Sequence, residues 1–338
     1  MTNDMTKGSP LKIFILFSIP LLIGNIFQQL YSMVDTIIVG RFVGVDALAA
    51  VGSTGSMFFL VNGMILGLTS GFSVLVSQKF GAKDEDGIKK AVASNIKLTV
   101  ISTIIITAVA LLVKNPLLSM MNTPDNILND ANTYITIIFA GIFTQTAYNM
   151  AAGILRAFGD SKRPLYVLLV SSCMNILGDL LLVGVLHLGV GGAAAATVAA
   201  QIVSVILTFL FLAREEHLRG KVHVWHLHFG REHMVMMIRT GFPLALQSML
   251  FPVSNSIVQA SVNTMGTDSI AAWSICDKLS MLIWLLADSM GPAMTTYVAQ
   301  NLGAEQTERV KKGAFIGTGI SVCAVGAVSL FLFFFSGW

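Results

Sequence analysis

Charge is scarce in this chain. Of 338 residues, 12% are Asp, Glu, Lys or Arg, and the net charge is +3. That is about half the charged share of an ordinary soluble domain. The 21 Lys and Arg are scattered rather than gathered on a basic face, which excludes nucleic acid as a partner. Cysteine is equally sparse. Cys173, Cys276 and Cys323 lie far apart in apolar runs, with no CxxC or other metal spacing. A disulfide scaffold and a cysteine metal site are excluded, and the three are predicted to be small core residues. The polar N-terminus leads into a long apolar run without a small-residue cleavage site, so no cleaved signal peptide and no lipid anchor are expected. What is abundant is apolar surface. The apolar share is 54% and the mean hydropathy is +0.76. A soluble fold cannot hide that much, so the chain is predicted to be an all-α polytopic membrane protein.

Nine apolar stretches are legible, near 11–39, 47–78, 92–113, 131–157, 164–186, 190–213, 235–263, 269–299 and 313–336. They are too long for strands and lack the alternation of a lipid-facing barrel. With the N-terminus in the cytoplasm, 18 of the 21 basic residues fall on cytoplasmic segments, Arg41 and Lys114 on outer loops, and Lys278 within a span. That asymmetry fixes the orientation and supports the helix count.

The chain repeats itself. Gly44, Asp46, Ala49 and Ala50 match Gly266, Asp268, Ala271 and Ala272 at an offset of 222 residues. Val76, Gln78, Gly81 and Ala82 match Val298, Gln300, Gly303 and Ala304 at the same offset, as Lys89 and Lys90 match Lys311 and Lys312. Six spans separate the copies, so the halves are parallel, related by an axis along the membrane normal. The predicted plan is a parallel six-helix repeat with nine helices present, six plus three. Residues 1–213 form an amino-terminal lobe, 214–239 a cytoplasmic linker, and 240–338 the first three helices of a second lobe. The repeat implies three further helices, leaving the plan C-terminally incomplete.

Acids within spans are costly, about 2.5–3.5 kcal/mol for Asp at a helix centre. Four occur: Asp35, Asp179, Asp277 and Asp288. On the first helix Asn25, Gln28, Ser32 and Asp35 share one face. On the fifth Ser171, Asn175 and Asp179 do, on the sixth Thr197, Gln201, Ser204 and Thr208, and on the fourth Gln145, Tyr148 and Asn149. Such stripes need a wet interior or interhelical hydrogen bonds. Beyond Lys12 at the very start of the first, no Lys or Arg accompanies Asp35 and Asp179 in their spans. Two membrane carboxylates without a basic partner must share protons or hold a cation.

The eighth helix presents Trp273, Asp277, Ser280, Trp284 and Asp288 on one face. Indoles and carboxylates together attract organic cations; equally, the indoles can pack against lipid and Asp277 can neutralise Lys278. The 17 Met residues are soft surface suited to varied apolar ligands, and common in membrane cores as well. Pro20, Pro243, Pro252 and Pro292 interrupt spans. Pro20 is a candidate hinge, fifteen residues before Asp35. Five of the six His (His217, His223, His226, His228 and His233) lie in 214–239 without a ligand set on one helix face, so a solvated linker explains them.

These residues resemble the multidrug and toxic compound extrusion (MATE) family. The similarity runs through Pro20, Asp35, Gly40, Gly44 and Ala47-Leu48-Ala49-Ala50. It continues through Gln78-Lys79-Phe80-Gly81-Ala82 and its repeat Gln300-Asn301-Leu302-Gly303-Ala304. Gly153 to Asp160, Pro164, Asn175-x3-Asp179 and Gly191 to Thr197 complete it. The resemblance implies two six-helix lobes in a V around a central cavity, and export of organic cations and drugs in exchange for H⁺ or Na⁺. It implies a coupling site at Asp35, Asn175, Asp179 and Thr197, where Na⁺ is one candidate occupant, and bending of the first helix at Pro20. The seventh helix carries Asn255 and Gln259 where some members have an acid. The substrate cavity is assigned to Gln28, Tyr31, Gln145, Tyr148, Asn149, Gln201, Asn255, Gln259, Trp273, Asp277, Trp284 and Asp288.

The chain is thus expected to be a monomeric, multi-pass antiporter of a bacterial cytoplasmic membrane. Its partners are the lipid bilayer and a small organic cation, with no cofactor besides the coupling ion. The nearest rival is a lipid-linked oligosaccharide flippase, whose anionic substrate needs basic residues in the cavity; the spans offer Lys278 alone. A membrane enzyme would need a nucleophile, a metal set or a His/Asp dyad within the spans, and none is legible. An inactive fragment is the third alternative. Na⁺ and H⁺ both fit a carboxylate pair flanked by Asn and Thr oxygens.

Overall fold

The computed structural model describes residues 4–121, 123–218, 231–265 and 267–335. Among them there are helices and no strands. The helices are α1 (Pro10–Phe42), α2 (Val45–Ser53), α3 (Gly55–Gly81), α4 (Glu85–Met120), α5 (Asp125–Ala140), α6 (Ile142–Ala157), α7 (Lys162–Asp179), α8 (Gly189–Ala213), α9 (Arg231–Asn263), α10 (Thr267–Gly303) and α11 (Thr307–Phe335). Among the described residues seven spans are long and apolar enough to cross a membrane, with α2 and α3 forming one of them, and an eighth if the bent pair α5–α6 counts as one. The remaining long helix, α10, has 37 residues and carries Asp268, Asp277, Lys278 and Asp288. α10 occupies the eighth predicted stretch but is not among the spans apolar enough to qualify.

The helices overrun the predicted apolar windows. α4 has 36 residues, about 54 Å at 1.5 Å per residue, against a hydrocarbon core of about 30 Å. It starts outside the apolar run because Asp84 caps it, its Oδ1 accepting from the Gly87 amide at 2.8 Å. Glu85 and Asp86 follow in the first turn, where acids suit the helix dipole. α9 is already helical at Arg231, inside the stretch expected to be linker.

Three spans are not straight helices. The second breaks at Thr54, between α2 and α3. The fourth bends by 42° between α5 and α6, at Gly141. The fifth loosens into a π-helical turn, Leu180–Val185, directly after Asp179. Single π turns inside helices cluster at functional sites. Proline alone signalled none of these breaks. Pro20 and Pro292 lie inside α1 and α10, Pro243 and Pro252 inside α9 and Pro116 inside α4.

α3 and α9 pack backbone to backbone along a glycine stripe. Gly63, Gly67 and Gly71 stand every fourth residue along α3. A Cβ at Gly67 would lie 2.4 Å from the Ala245 Cα, and one at Gly71 2.2 Å from the Gly241 Cα. This is backbone-to-backbone packing of the small-xxx-small kind that holds helices together in lipid. The related pair in the other half, α1 and α10, is looser. Residues 285, 289 and 293, at the repeat offset from those glycines, are Leu, Ser and Ala. An apolar gap of about 140 Å³ opens between α1, α10 and α11, lined by Ile15, Ser18, Ile19, Leu22, Leu286 and Ser289 among others.

The repeat is also visible in the backbone. After α3 the chain turns through Lys83 at φ +55°, and after α10 through Glu305 at φ +59°. The Ala82 and Ala304 amides donate to the Gln78 and Gln300 carbonyls at 2.9 and 3.0 Å. The Asp84 and Gln306 amides donate to the Lys79 and Asn301 carbonyls at 3.1 and 2.9 Å. At these two turns α3 and α10 cross each other. A Cβ on Gly81 would fall 1.9 Å from the Gln300 carbonyl oxygen, and one on Gly303 would fall 1.9 Å from that of Gln78. The Gln-x-x-Gly of each half thus grips its own copy.

The cysteines depart from expectation. Cys173, Cys276 and Cys323 are all exposed rather than buried in the core. A helix in lipid has no need to turn its apolar residues inward, so an apolar neighbourhood in sequence does not locate the core.

Candidate functional site

Asp35 and Asp179 meet. α1 packs on α7, and the two carboxyl groups come within hydrogen-bonding reach of each other. Asp179 is fully buried and Asp35 half-buried. Asp35 Oδ1 and both oxygens of Asp179 have no donor among the described residues. One turn before Asp179, Asn175 is buried and its Oδ1 is likewise without a donor. Its Nδ2 donates to the Thr197 hydroxyl on α8 at 3.4 Å. Thr197 in turn donates to the Ala193 carbonyl at 3.1 Å.

Four buried acceptor oxygens without donors are too many for a purely structural node, because each buried unpaired acceptor costs about 1–3 kcal/mol. Two ionised carboxylates cannot donate to each other. A proton shared between them relieves part of the deficit, and a hard cation bound by their oxygens relieves more of it. The donor set fits either: two carboxylates, an amide oxygen and a hydroxyl. Among the described residues no group of three or more His, Cys, Asp or Glu is gathered for a transition metal.

Two tyrosines complete the surroundings. Tyr31, one turn before Asp35 on α1, is within hydrogen-bonding reach of Gln28 and Ser32 and close enough to both acids for their charges to act on it. Tyr134 on α5 is also within range of Asp35, Asp179 and Tyr31, and it packs beside Ile38, Val39 and Val183. The sequence reading missed Tyr134. It stands alone on its helix, outside every polar stripe, and only the folding of α5 against α8 brings it to the acids.

The stripes divide once folded. On α1, Gln28 and Ser32 are exposed while Asp35 turns toward α7. On α8, Thr197 joins the acids and Gln201 accepts from Thr144 at 2.7 Å. Ser204 and Thr208 instead donate to the carbonyls four residues back, at 3.2 and 2.6 Å. Those two hydroxyls are satisfied by their own helix.

On α6, Gln145 bonds to Asn62 of α3, and Asn149 Nδ2 donates to the Gln145 carbonyl at 2.9 Å. Tyr148 is half-buried beside them. In the second half Asn255, Trp284 and Asp288 are exposed, and Gln259 and Trp273 are intermediate. The Trp284 ring tilts against Phe251 of α9 with centroids 4.4 Å apart, which makes a partner-packed indole of it. The Asp277 side chain lies outside the described residues, as do His223, His226 and His228. His217 pairs with Glu85 at 2.9 Å, as a linker residue on the end of α4.

The MatE family model matches residues 20–181 and 243–338. The chain is similar to a "Probable multidrug resistance protein", YoeA, of Bacillus subtilis, with 30% identity over 99% of this chain and 74% of that protein. It is 27% identical to a second, YpnP, from the same organism, over 91% of this chain and 68% of that protein. A solved structure described as the outward-facing conformation of a multidrug resistance MATE family transporter superposes with a TM-score of 0.90. It is 26% identical, over 98% of this chain and 74% of that one.

Proposed function

The chain belongs to the MatE (MATE) family of membrane transporters, and on that premise we propose that it is a secondary antiporter exporting organic cations in exchange for Na⁺ or H⁺. It is a multi-pass transporter and not an enzyme. The multidrug names of its relatives support small-molecule drugs as the exported class. The observation that carries the coupling is the group of donorless oxygens on Asp35, Asn175 and Asp179.

The coupling set is Asp35, Asn175, Asp179 and Thr197. A cation bound there offsets the two negative charges and draws α1 and α7 together. Without it the carboxylates repel. The two states of the pair therefore prefer different arrangements of α1, and a drug that prefers the other arrangement expels the cation. Pro20 is the hinge of α1 in this reading. The apolar gap along Ile15, Ser18 and Ile19 leaves room for α1 to bend, while its counterpart α9 is clamped on α3. The drug-facing surface is assigned to Gln28, Tyr31, Gln145, Tyr148, Asn149, Gln201, Asn255, Gln259, Trp273, Asp277, Trp284 and Asp288. Residues 1–213 act as one lobe, 214–239 as the linker and 240–338 as part of the second lobe. We place it as a monomer in a bacterial cytoplasmic membrane, and the distribution of Lys and Arg supports a cytoplasmic N-terminus.

Proteoliposomes test this directly. An imposed inward Na⁺ or H⁺ gradient should drive export of a fluorescent organic cation such as ethidium. Transport unchanged by collapsing both gradients would refute the antiport.

A further inference from the structure

The segment before α1 is built into the second half of the molecule. Met5 is completely buried, Thr6 nearly so, and the Met5 side chain packs with Phe14, Phe17, Met290 and Tyr297. The Met5 amide donates to Gln300 Oε1 at 2.9 Å. The Met5 carbonyl accepts from Asn301 Nδ2 at 3.2 Å and from Arg309 Nη2 at 3.1 Å. Arg309 Nη1 donates to the Gly8 carbonyl at 2.9 Å, and its Nε to Asn301 Oδ1 at 2.9 Å. Gln300 and Asn301 are fully buried. Gln300 also donates through Nε2 to the Ala157 carbonyl at the end of α6, at 2.8 Å.

Gln300 is therefore a node. One side chain ties residue 5, α10 and α6, and its own carbonyl is the oxygen against which Gly81 lies in the α3–α10 crossing. The repeat shows that this tie is an addition. Gln78 and Gln300 are identical, but residues 79 and 87 are Lys and Gly where 301 and 309 are Asn and Arg. In the first half Lys79 Nζ and the Gly87 amide both turn to the local Asp84, at 3.1 and 2.8 Å. In the second half the corresponding side chains reach residues 5 and 8 instead. Two turns with the same backbone thus differ at the positions that hold the N-terminal segment.

We propose that residues 4–9 are a latch that locks the lysine-rich end of the helix bundle closed, by pinning α10 and α11 to the end of α6 across the α3–α10 crossing. With Met5 filling the gap beside Tyr297 and Arg309 holding the Met5 and Gly8 carbonyls, α10 and α11 stay tied to the end of α6, which packs on α3. Opening toward that side must pull Met5 out and release Gln300 and Arg309 together. The latch rests on the alternating-access reading, since it gives the closed end a defined lock.

The test is a spin-label distance measurement between Lys90→Cys and Lys312→Cys, which are exposed repeat partners at this end. Cys173, Cys276 and Cys323 are first replaced by Ala. The variants are deletion of residues 2–6 and, independently, Arg309→Ala, which keeps the whole segment. Each should raise the ratio of separated to closed distances about tenfold, as expected for losing charge-assisted and buried hydrogen bonds. Thermal melts confirm that each variant is folded. An unchanged ratio in both folded variants would overturn the latch. If the variants open but the parent distribution ignores both cation and drug, the latch stands and alternating access fails.

Discussion

Asp179→Asn and Asp35→Asn should each reduce gradient-driven drug export about 100-fold, within the range of a coupling free energy of a few kcal/mol. Neither should unfold the protein. Asn keeps the shape of Asp and removes one of two charges that have no donor in the described structure. The new amide can donate to the remaining carboxylate, which is within hydrogen-bonding reach. The deficit of buried acceptors shrinks, so the melting temperature should hold or rise while transport is lost. Functional sites commonly trade stability in this way. A purely structural role predicts the reverse order, with stability falling first and transport following it. Efflux and a thermal melt on the same preparations separate the two.

The second large effect is expected at the crossing of α3 and α10. Gly81→Ala and Gly303→Ala each place a methyl group 1.9 Å from a backbone carbonyl oxygen of the other helix. No real contact is that short, and a backbone cannot rotate away as a side chain does. The helices must separate, at a cost of about 1–3 kcal/mol for overpacking. Each variant should lower the melting temperature and cut export at least tenfold, by holding that end open. Gly291→Ala, on the same helix, meets nothing within 4 Å and should leave both unchanged. The two crossing variants should not add. Once one methyl has parted the helices, the second meets no oxygen. Full additivity in the double variant would show that the two glycines do not share one contact.

Much of this was legible beforehand because lipid imposes simple rules. Backbone groups must be satisfied inside each span, so long apolar runs become helices. Asp35 and Asp179 were legible for the complementary reason, since a membrane acid without a basic partner demands an explanation. Their meeting was implied by the family resemblance alone, because nothing in either stripe states that α1 lies on α7. Tyr134 stayed invisible, because it belongs to none of the polar stripes that marked the other helices. Ser204 and Thr208 misled by their spacing: helical periodicity marks a shared face, but a hydroxyl can satisfy itself on its own backbone. The cysteines misled because burial in a bilayer is not burial in a core.

The repeat also encodes a contact that its identities do not display. Identity of Gln78 with Gln300 and Gly81 with Gly303 was plain in the sequence, but the reciprocal grip of the two copies is a contact between distant segments. The packing face of Gly63, Gly67 and Gly71 was not drawn from the sequence; its partners, Gly241 and Ala245 among them, lie on another helix. Where the two copies differ, at residues 301 and 309, the structure supplies the reason: those side chains hold Met5 and Gly8.

The most direct measurement is of ion release from purified protein on addition of a saturating organic cation. A pH indicator reads released H⁺ in unbuffered solution, and a Na⁺-selective electrode reads released Na⁺. If drug and cation compete through the Asp35–Asp179 pair, about one ion should leave per drug bound. None should leave the Asp35→Asn/Asp179→Asn double variant. Drug binding by the parent protein without release of either ion, or equal release from the double variant, would contradict the assignment of coupling to this pair.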